Sequence, residues 1–206
     1  MTGVFTTRGK VLATAVLLIL GAAFAGLGTF GTWTKAPTTS SPLNAAQLAL
    51  GLGADGSANN RLTVGASNIL PGDTMQRAIT LTNTATDFAE IDLTVGAGSV
   101  TALTTDTTDG LHVTVSSCSG NWVEANAPNY TYTCSAGAGG ITKIVNNQPI
   151  IQTNTDLGAL NSLTSNGSDT LVVTVALPTT APATMAGATT TLDFTFTGTV
   201  RAGTAR

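Results

Sequence analysis

The side chains that could do acid–base or nucleophilic chemistry are few in this chain of 206 residues, which has one histidine and two cysteines. His112 is the only imidazole, so any zinc motif or mechanism that needs two histidines is excluded. A serine triad would have to use His112, but the alternation Leu111-His112-Val113 predicts an exposed strand position for it. We therefore expect no catalytic residue, no metal ligand and no cofactor, and we predict that the chain is not an enzyme.

The spacing of the carboxylates Glu90 and Asp92 allows two interpretations. Glu90 and Asp92 are two residues apart, which puts both side chains on one face of a predicted strand. Such a pair could serve acid–base chemistry or hold a cation. A solvated strand face explains the same pattern, and it is the interpretation that we favour.

The two cysteines, Cys118 and Cys134, are 16 residues apart, which is too far for a C-x-x-C redox or metal motif. In an exported protein the simplest interpretation is one disulfide between them. Closing a loop of this size contributes about 3 kcal/mol in the chain-entropy model. Two buried free thiols are the alternative that the sequence leaves open.

The N-terminus has the features of an export signal. Arg8 and Lys10 precede an apolar run over residues 11–28, and small residues follow it. Cleavage is predicted between Ala25 and Gly31, and we assign residues 1–31 to the signal peptide with the cut after Gly31. A retained transmembrane helix and a pilin-type leader that keeps its helix are the alternatives. The product is expected to be secreted, extracellular or on the cell surface, with membrane contact only through the uncleaved leader.

Composition favours a β-rich, extracellular kind of protein. Charged residues are only 9% of the chain and hydrophobic residues 42%, which excludes coiled coils and disorder. The net charge of -3 argues against a nucleic-acid partner. Strict apolar–polar alternation predicts antiparallel strands with one buried face. The clearest examples cover residues 74–83, 88–95, 111–115, 170–177 and 192–200, with shorter ones at 61–64, 130–132 and 141–145.

The distribution of residue types along the chain also predicts its domain organisation. Pro37 and Pro42 lie in a Thr- and Ser-rich stretch, so residues 32–45 are predicted to form an extended N-terminal arm. Residues 46–206 are assigned to an antiparallel β-sandwich. No helical repeat is evident after residue 50, and residues 154–167 are predicted to hold one short helix or a loop.

Three segments resemble a known family. These are the end of the leader (residues 26–33), the stretch at residues 46–50, and Asn68-Ile69-Leu70-Pro71-Gly72-Asp73-Thr74 followed by residues 77–84, which include Asn83. Together they resemble the TasA/camelysin family of exported bacterial surface and biofilm-matrix proteins over residues 10–96. The family turn motif corresponds to Pro71, Gly72, Asp73 and Asn83.

The resemblance implies a jelly-roll-like sandwich that follows an N-terminal signal helix and assembles with itself into extracellular fibres. In such fibres the N-terminal segment of one subunit adds a strand to the next. Here the donor would come from residues 32–44, including Thr32, Trp33, Thr34 and Leu43. Some relatives are labelled metallopeptidases, a label that no histidine-based site of this sequence can support.

The leading functional prediction is a secreted structural subunit that forms a homopolymeric filament. The alternatives are a monomeric cell-surface adhesion or binding module, a pilin-like subunit with a retained N-terminal helix, and a secreted hydrolase.

Overall fold

The computed structural model describes residues 34–35, 50–62, 69–127 and 129–200, with the backbone alone at 34–35. Eleven β-strands lie in these residues. The strands are β1 (Thr34–Lys35), β2 (Leu50–Leu52), β3 (Thr74–Asn83), β4 (Phe88–Ala97), β5 (His112–Cys118), β6 (Trp122–Ala125), β7 (Thr131–Cys134), β8 (Ile141–Pro149), β9 (Gln152–Asp156), β10 (Ser168–Ala176) and β11 (Leu192–Val200).

The strands form two sheets and a separate hairpin, and every strand pair is antiparallel. The four-stranded sheet has the order β1-β11-β4-β9, and the five-stranded sheet has the order β2-β3-β10-β5-β8. Strands β6 and β7 pair only with each other. The all-β, antiparallel prediction is therefore confirmed, while the predicted signal helix lies outside the described residues.

Alternating side chains explain why these segments pair face to face. On β3, Ile79 and Leu81 are fully buried, while Thr80 between them and Thr82 after them are not. On β11, the buried Phe196 lies between half-buried threonines. Inward-facing side chains of both sheets form one continuous core, which is the arrangement of a β-sandwich. The fully buried members of the core include Ile79, Leu81, Ile91, Leu93, Val95, Val113, Leu171 and Phe196.

The outward face of the five-stranded sheet is only partly exposed to solvent, because the β6–β7 hairpin lies on it. Ala78 and Val172 pair across β3 and β10 at outward-facing positions, yet each is 2% exposed. His112 is 8% exposed, so the prediction that it lies on an exposed strand position is wrong. Strand β5 has a neighbour on either side, and His112 is flanked by Ala176 and Pro149.

Several local predictions also need correction. Arg61 and Leu62 do not belong to a strand, and the rest of the predicted strand at 61–64 lies outside the described residues. Strands β2, β6 and β9 were not predicted. A short helix, α1 (Ala102–Thr105), follows β4, and a 3₁₀ turn at Asn161–Leu163 lies in the segment predicted to hold a short helix or a loop.

The sandwich has two distinct ends, which we name after the ends of β3. The Thr74 end also holds the end of β4 at Ala97 and the start of β11 at Leu192, which are paired. The Asn83 end holds the start of β4 at Phe88 and the end of β11 at Val200. The short connections between β3 and β4 and between β8 and β9 link the two sheets at opposite ends.

Candidate functional site

The edge of the four-stranded sheet carries the part of the predicted arm that the structure describes. Thr34 pairs with Thr199, and Lys35 pairs with Gly198, so β1 lies against the outer edge of β11. The other edge of β11 pairs with β4 along its whole length. Among the described residues, only these two arm residues pair with the outer edge of β11. Within the ranges that the structure describes, no strand pairs with Leu192–Thr197 on that edge, and the backbone groups of such an edge can accept another strand.

The β11 residue opposite Lys35 is a glycine for a packing reason. A Cβ on Gly198 would lie 2.9 Å from Cε1 of Phe88, whose ring is buried at the start of β4. The aromatic ring therefore fills the space that a side chain at Gly198 would need. The close approach of Gly198 to the Phe88 ring shows that the end of β11 that pairs with β1 lies directly over the core.

Of the predicted arm residues, the structure places Thr34 in β1. Thr32, Trp33 and Leu43 lie outside the described residues, as do the cleavage positions Ala25 and Gly31. The boundaries of the signal peptide (1–31), the arm (32–45) and the sandwich (46–206) stay predictions.

The family turn motif forms a tight connection into β3. Gly72 has a φ of 95°, a conformation that side chains with a Cβ rarely adopt. Its N–H donates to the carbonyl of Leu177 at 2.8 Å, and Leu177 in turn donates to the carbonyl of Asp73 at 3.0 Å. The Asp73 carboxylate accepts the N–H of Leu70 at 2.8 Å. The motif therefore anchors the start of β3 to the residue that follows β10.

Asn83, the fourth motif residue, is fully buried at the other end of β3. Its amide nitrogen donates to the carbonyl of Thr86 at 2.9 Å, and its amide oxygen accepts the N–H of Ala85 at 2.9 Å. Its backbone N–H and carbonyl bond to Gly167 and Asn166, respectively. A buried polar side chain is tolerated here because its hydrogen bonds are made within the turn.

Cys118 and Cys134 form the predicted disulfide, with an S–S distance of 2.02 Å and Cα atoms 5.6 Å apart. The bond closes the base of the β6–β7 hairpin against the end of β5. Trp122 adds a second tether, because its indole N–H donates to the carbonyl of Thr170 in the five-stranded sheet at 3.1 Å.

A cluster of polar and aromatic side chains holds the other end of the hairpin. The sequence analysis did not predict this cluster. Arg61 donates to the Glu124 carboxylate from Nε at 3.0 Å and from Nη2 at 2.8 Å. The Tyr132 hydroxyl donates to the same carboxylate at 2.7 Å. The guanidinium carbons of Arg61 and Arg77 lie 4.5 Å and 5.4 Å from the centre of the Tyr130 ring. These contacts are cation–π pairs that order the hairpin loop.

The cluster shifts the titration of its members. The hydrogen bonds from Arg61 hold the pKa of Glu124 below its ordinary value, and the same pair raises the pKa of Arg61. Burial, followed by the hydrogen bond to Glu124, raises the pKa of Tyr132 to about 12. The Glu124 carboxylate is therefore ionised and the Tyr132 phenol is neutral over the whole physiological range.

Glu90 and Asp92 do lie on one outward strand face, and the structure adds a third carboxylate. Asp156 of β9 is the register partner of Asp92. Burial raises the pKa of Asp92, and the negative charges of Glu90 and Asp156 raise it further. The carboxylates thus repel one another across the four-stranded sheet.

The described residues offer no set of metal ligands. His112 is buried, and its Nδ1 lies 3.0 Å from the carbonyl oxygen of Gly110. Both cysteines are consumed by the disulfide. Over the described ranges, no group of three or more His, Cys, Asp or Glu side chains is arranged to hold an ion, and this includes the three carboxylates on β4 and β9.

Comparison with known proteins assigns the chain to a family. A sequence model of the camelysin metallo-endopeptidase family matches residues 6–205. The chain belongs to this family. The TasA/camelysin resemblance is therefore confirmed, and the match extends well beyond residues 10–96, which carried the resemblance. No curated protein matches the chain.

The prediction that this camelysin-family chain is not an enzyme is contradicted by the name of its family, which is that of a metallo-endopeptidase. The residues that the structure describes do not fit the metal that the name implies. Among them, no three histidine, cysteine or carboxylate side chains are arranged to hold one ion. No peptidase step can be derived from them.

The family also bears on location. Camelysin-family proteins are surface or secreted proteins, in agreement with the coarse part of the predicted location. In the part of the chain that the structure describes, helices are too short or too polar to cross a membrane.

Proposed function

We propose that this camelysin-family chain is a secreted structural subunit that assembles into extracellular fibres by exchange of its N-terminal arm. The observation that carries the proposal is the pairing of Thr34 and Lys35 with the edge of β11. The arm pairs with this edge within its own chain, and a neighbour's arm could pair there in the same way. Main-chain hydrogen bonds would supply the affinity, as in other cases of strand addition.

The register of the pair indicates how far a donated arm would extend. If the pairing continues beyond Lys35, Ser41 lies opposite Leu192, the first residue of β11. Pro42 then falls just past the strand, where the loss of an N–H costs nothing. Pro37 falls within the paired stretch, which an edge strand tolerates because only alternate residues donate to the neighbouring strand. The arm sequence is therefore matched in length to the open edge.

Exchange between chains has a direct consequence for assembly. An arm that pairs within its own chain closes the edge and gives a monomer. An arm that pairs with a neighbour makes a head-to-tail contact, and such a contact grows into a filament if it does not close into a ring. Fibre growth is then a competition between the two pairings, and it depends on protein concentration.

The experiment compares the secreted chain beginning at Thr32 with a variant that lacks residues 32–44. We expect fibres of the longer chain in negative-stain electron microscopy and folded monomers of the variant by circular dichroism and sedimentation. A synthetic peptide of residues 32–45 should bind the shortened variant and raise its melting temperature. A peptide of the same composition in scrambled order is the control.

Fibres that persist after deletion of residues 32–44 would refute arm exchange. Monomers of the longer chain under every polymer-promoting condition would favour the alternative of a monomeric surface adhesion module.

A further inference from the structure

We propose that the Thr74 end of the sandwich is the surface on which the next copy of this chain docks. The inference rests on the proposed arm exchange and adds to it the direction of growth and the contact face. It is drawn from the direction of β1, the length of chain between β1 and β2, and the placement of exposed apolar side chains.

The direction of the arm defines where its donor must lie. β11 runs from Leu192 at the Thr74 end to Val200 at the Asn83 end, and β1 is antiparallel to it. A donated arm therefore enters at the Asn83 end and leaves at the Thr74 end. The rest of the donor follows the arm in sequence, so the donor must be located beyond the Thr74 end of the acceptor.

The donor presents its own Asn83 end to this surface. In each chain Leu50 of β2 pairs with Asn83, so the sandwich begins at that end. If Ser41 is the last paired residue of the arm, eight residues remain before Leu50. Eight residues span at most about 27 Å when fully extended. A linker this short keeps the two bodies close enough to touch.

The Thr74 end carries unusually exposed apolar side chains. Leu70 is 53% exposed, Val100 is 86% exposed and Ile151 is 43% exposed. They lie before β3, after β4 and between β8 and β9, so they are spread across this end. Among the described residues, only two other large apolar side chains are exposed, Val123 and Ile141. Apolar groups gathered at one end of a secreted protein mark a protein contact.

The loops that carry these side chains are held by hydrogen bonds at the same end. The hydroxyls of Ser99 and Thr190 lie 3.5 Å apart next to Val100, and Thr180 donates to the Asp109 carboxylate at 2.7 Å. The N–H of Leu70 is bonded to Asp73. A surface ordered before contact loses less conformational entropy when it binds.

The test is a triple variant, Leu70→Asp, Val100→Asp and Ile151→Asp, in the chain that begins at Thr32. We expect the critical concentration for fibre growth to rise at least about tenfold, since three apolar contacts are replaced by charges. The matched control is Val123→Asp, because Val123 is 55% exposed but lies on the hairpin, away from both ends. The control should grow fibres as the unaltered chain does.

Binding of the residue 32–45 peptide to arm-deleted versions of the same variants separates the two proposals. Normal peptide binding by the triple variant, with impaired fibre growth, supports the docking surface. Normal fibre growth by the triple variant overturns the docking surface and leaves arm exchange standing. No peptide binding and no fibres by the unaltered chain would overturn both.

A second measurement does not depend on how the triple variant folds. A photo-cross-linking residue placed at Val100 in otherwise unaltered fibres should join neighbouring subunits. We expect mass spectrometry to locate the cross-link in the loops of the Asn83 end, at residues 84–87 or 157–167. Cross-links that map to the Thr74 end of the neighbour would contradict the proposed direction.

Discussion

Arg61 donates two hydrogen bonds, of 3.0 Å and 2.8 Å, to the carboxylate of Glu124, which lies 63 residues later in the sequence. The pair connects the loop before β3 to the first strand of the hairpin. Tyr132 bonds to the same carboxylate from the second strand of the hairpin. With the disulfide and the Trp122–Thr170 hydrogen bond at its base, the hairpin is thus held at both of its ends.

The first prediction concerns Glu124→Gln. We expect the variant to be less stable than the unaltered chain at pH 7, because the two-point ionic contact with Arg61 is lost. The pKa of Glu124 lies below its ordinary value of 4.5 in the folded chain. The contribution of Glu124 is therefore fully present above about pH 4.5 and is lost as the pH falls through the lower folded value.

Urea denaturation at pH 7 and in acid measures this difference in the free energy of unfolding. The matched control is Glu90→Gln, which removes a carboxylate from beside Asp92 and should be neutral or slightly stabilising. A Glu124→Gln effect that is the same in acid as at pH 7 would contradict the ionic contact.

The second prediction is spectroscopic. The chain has two tyrosines, and the pKa of Tyr132 is raised to about 12 by burial and by Glu124. Tyrosinate absorbance at 295 nm should therefore show a late component that is absent from Tyr132→Phe. Because the folded pKa is above the ordinary value of 10.0, the contribution of Tyr132 to stability is present below that pH and fades as the pH rises towards 12. Persistence of the late component in Tyr132→Phe would assign it elsewhere.

The third prediction concerns the disulfide. Replacing Cys118 and Cys134 by alanine should lower the free energy of unfolding by about 3 kcal/mol, as expected for a loop of this size. The variant should still fold, since Trp122 and the Arg61–Glu124 pair also hold the hairpin. Unfolding in urea of the unaltered chain, with and without reductant, is the measurement. A reductant effect that persists in the double alanine variant would show that the disulfide is not its source.

Period-two alternation was enough to predict the long strands. The predicted segments at 74–83 and 192–200 have the same bounds as β3 and β11, and the one at 88–95 ends two residues before β4 does. Each has its large apolar side chains on one face, so pairing into a sandwich follows from burial of that face. The disulfide was also predictable, because a chain that is expected to be exported most simply pairs its two cysteines.

Other features depend on contacts that one stretch of sequence does not contain. Strand β9 consists of Gln-Thr-Asn-Thr-Asp and has no apolar side chain to reveal it. Strand β6 has four residues, too few for a clear alternation. The burial of His112 and of Val172 reflects neighbouring strands and the hairpin, which alternation along β5 or β10 does not show. The Arg61–Glu124 pair likewise arises only when the hairpin folds back on the sheet.

The fourth prediction tests the turn that begins β3. Gly72→Ala should lower the free energy of unfolding by about 1–2 kcal/mol, because the positive φ of 95° is strained for any residue with a Cβ. The methyl group would also meet Thr179 at 3.3 Å. Gly139→Ala is the matched control, since Gly139 has an ordinary φ and open space around its Cβ position, and it should be close to neutral. Equal effects of the two substitutions in thermal denaturation would contradict the role of the backbone conformation.

The final prediction follows from the charges at the two ends that the proposed fibre brings together. Asp73, Asp106 and Asp109 lie at the Thr74 end, and Asp87 and Asp169 lie at the Asn83 end. We expect these five carboxylates to repel one another where the two ends approach, and salt should speed fibre growth by screening this repulsion.

Light scattering can compare growth rates at about 0.01 M and about 1 M salt, between which the Debye length falls from about 30 Å to about 3 Å. Asp109→Asn separates charge screening from other effects of salt, because its amide oxygen can still accept the hydrogen bond from Thr180. This variant should grow faster at low salt and depend less on salt concentration. Fibre growth that slows as salt is added would contradict this prediction. It would mean that the two ends dock through attraction between unlike charges and not through apolar contacts.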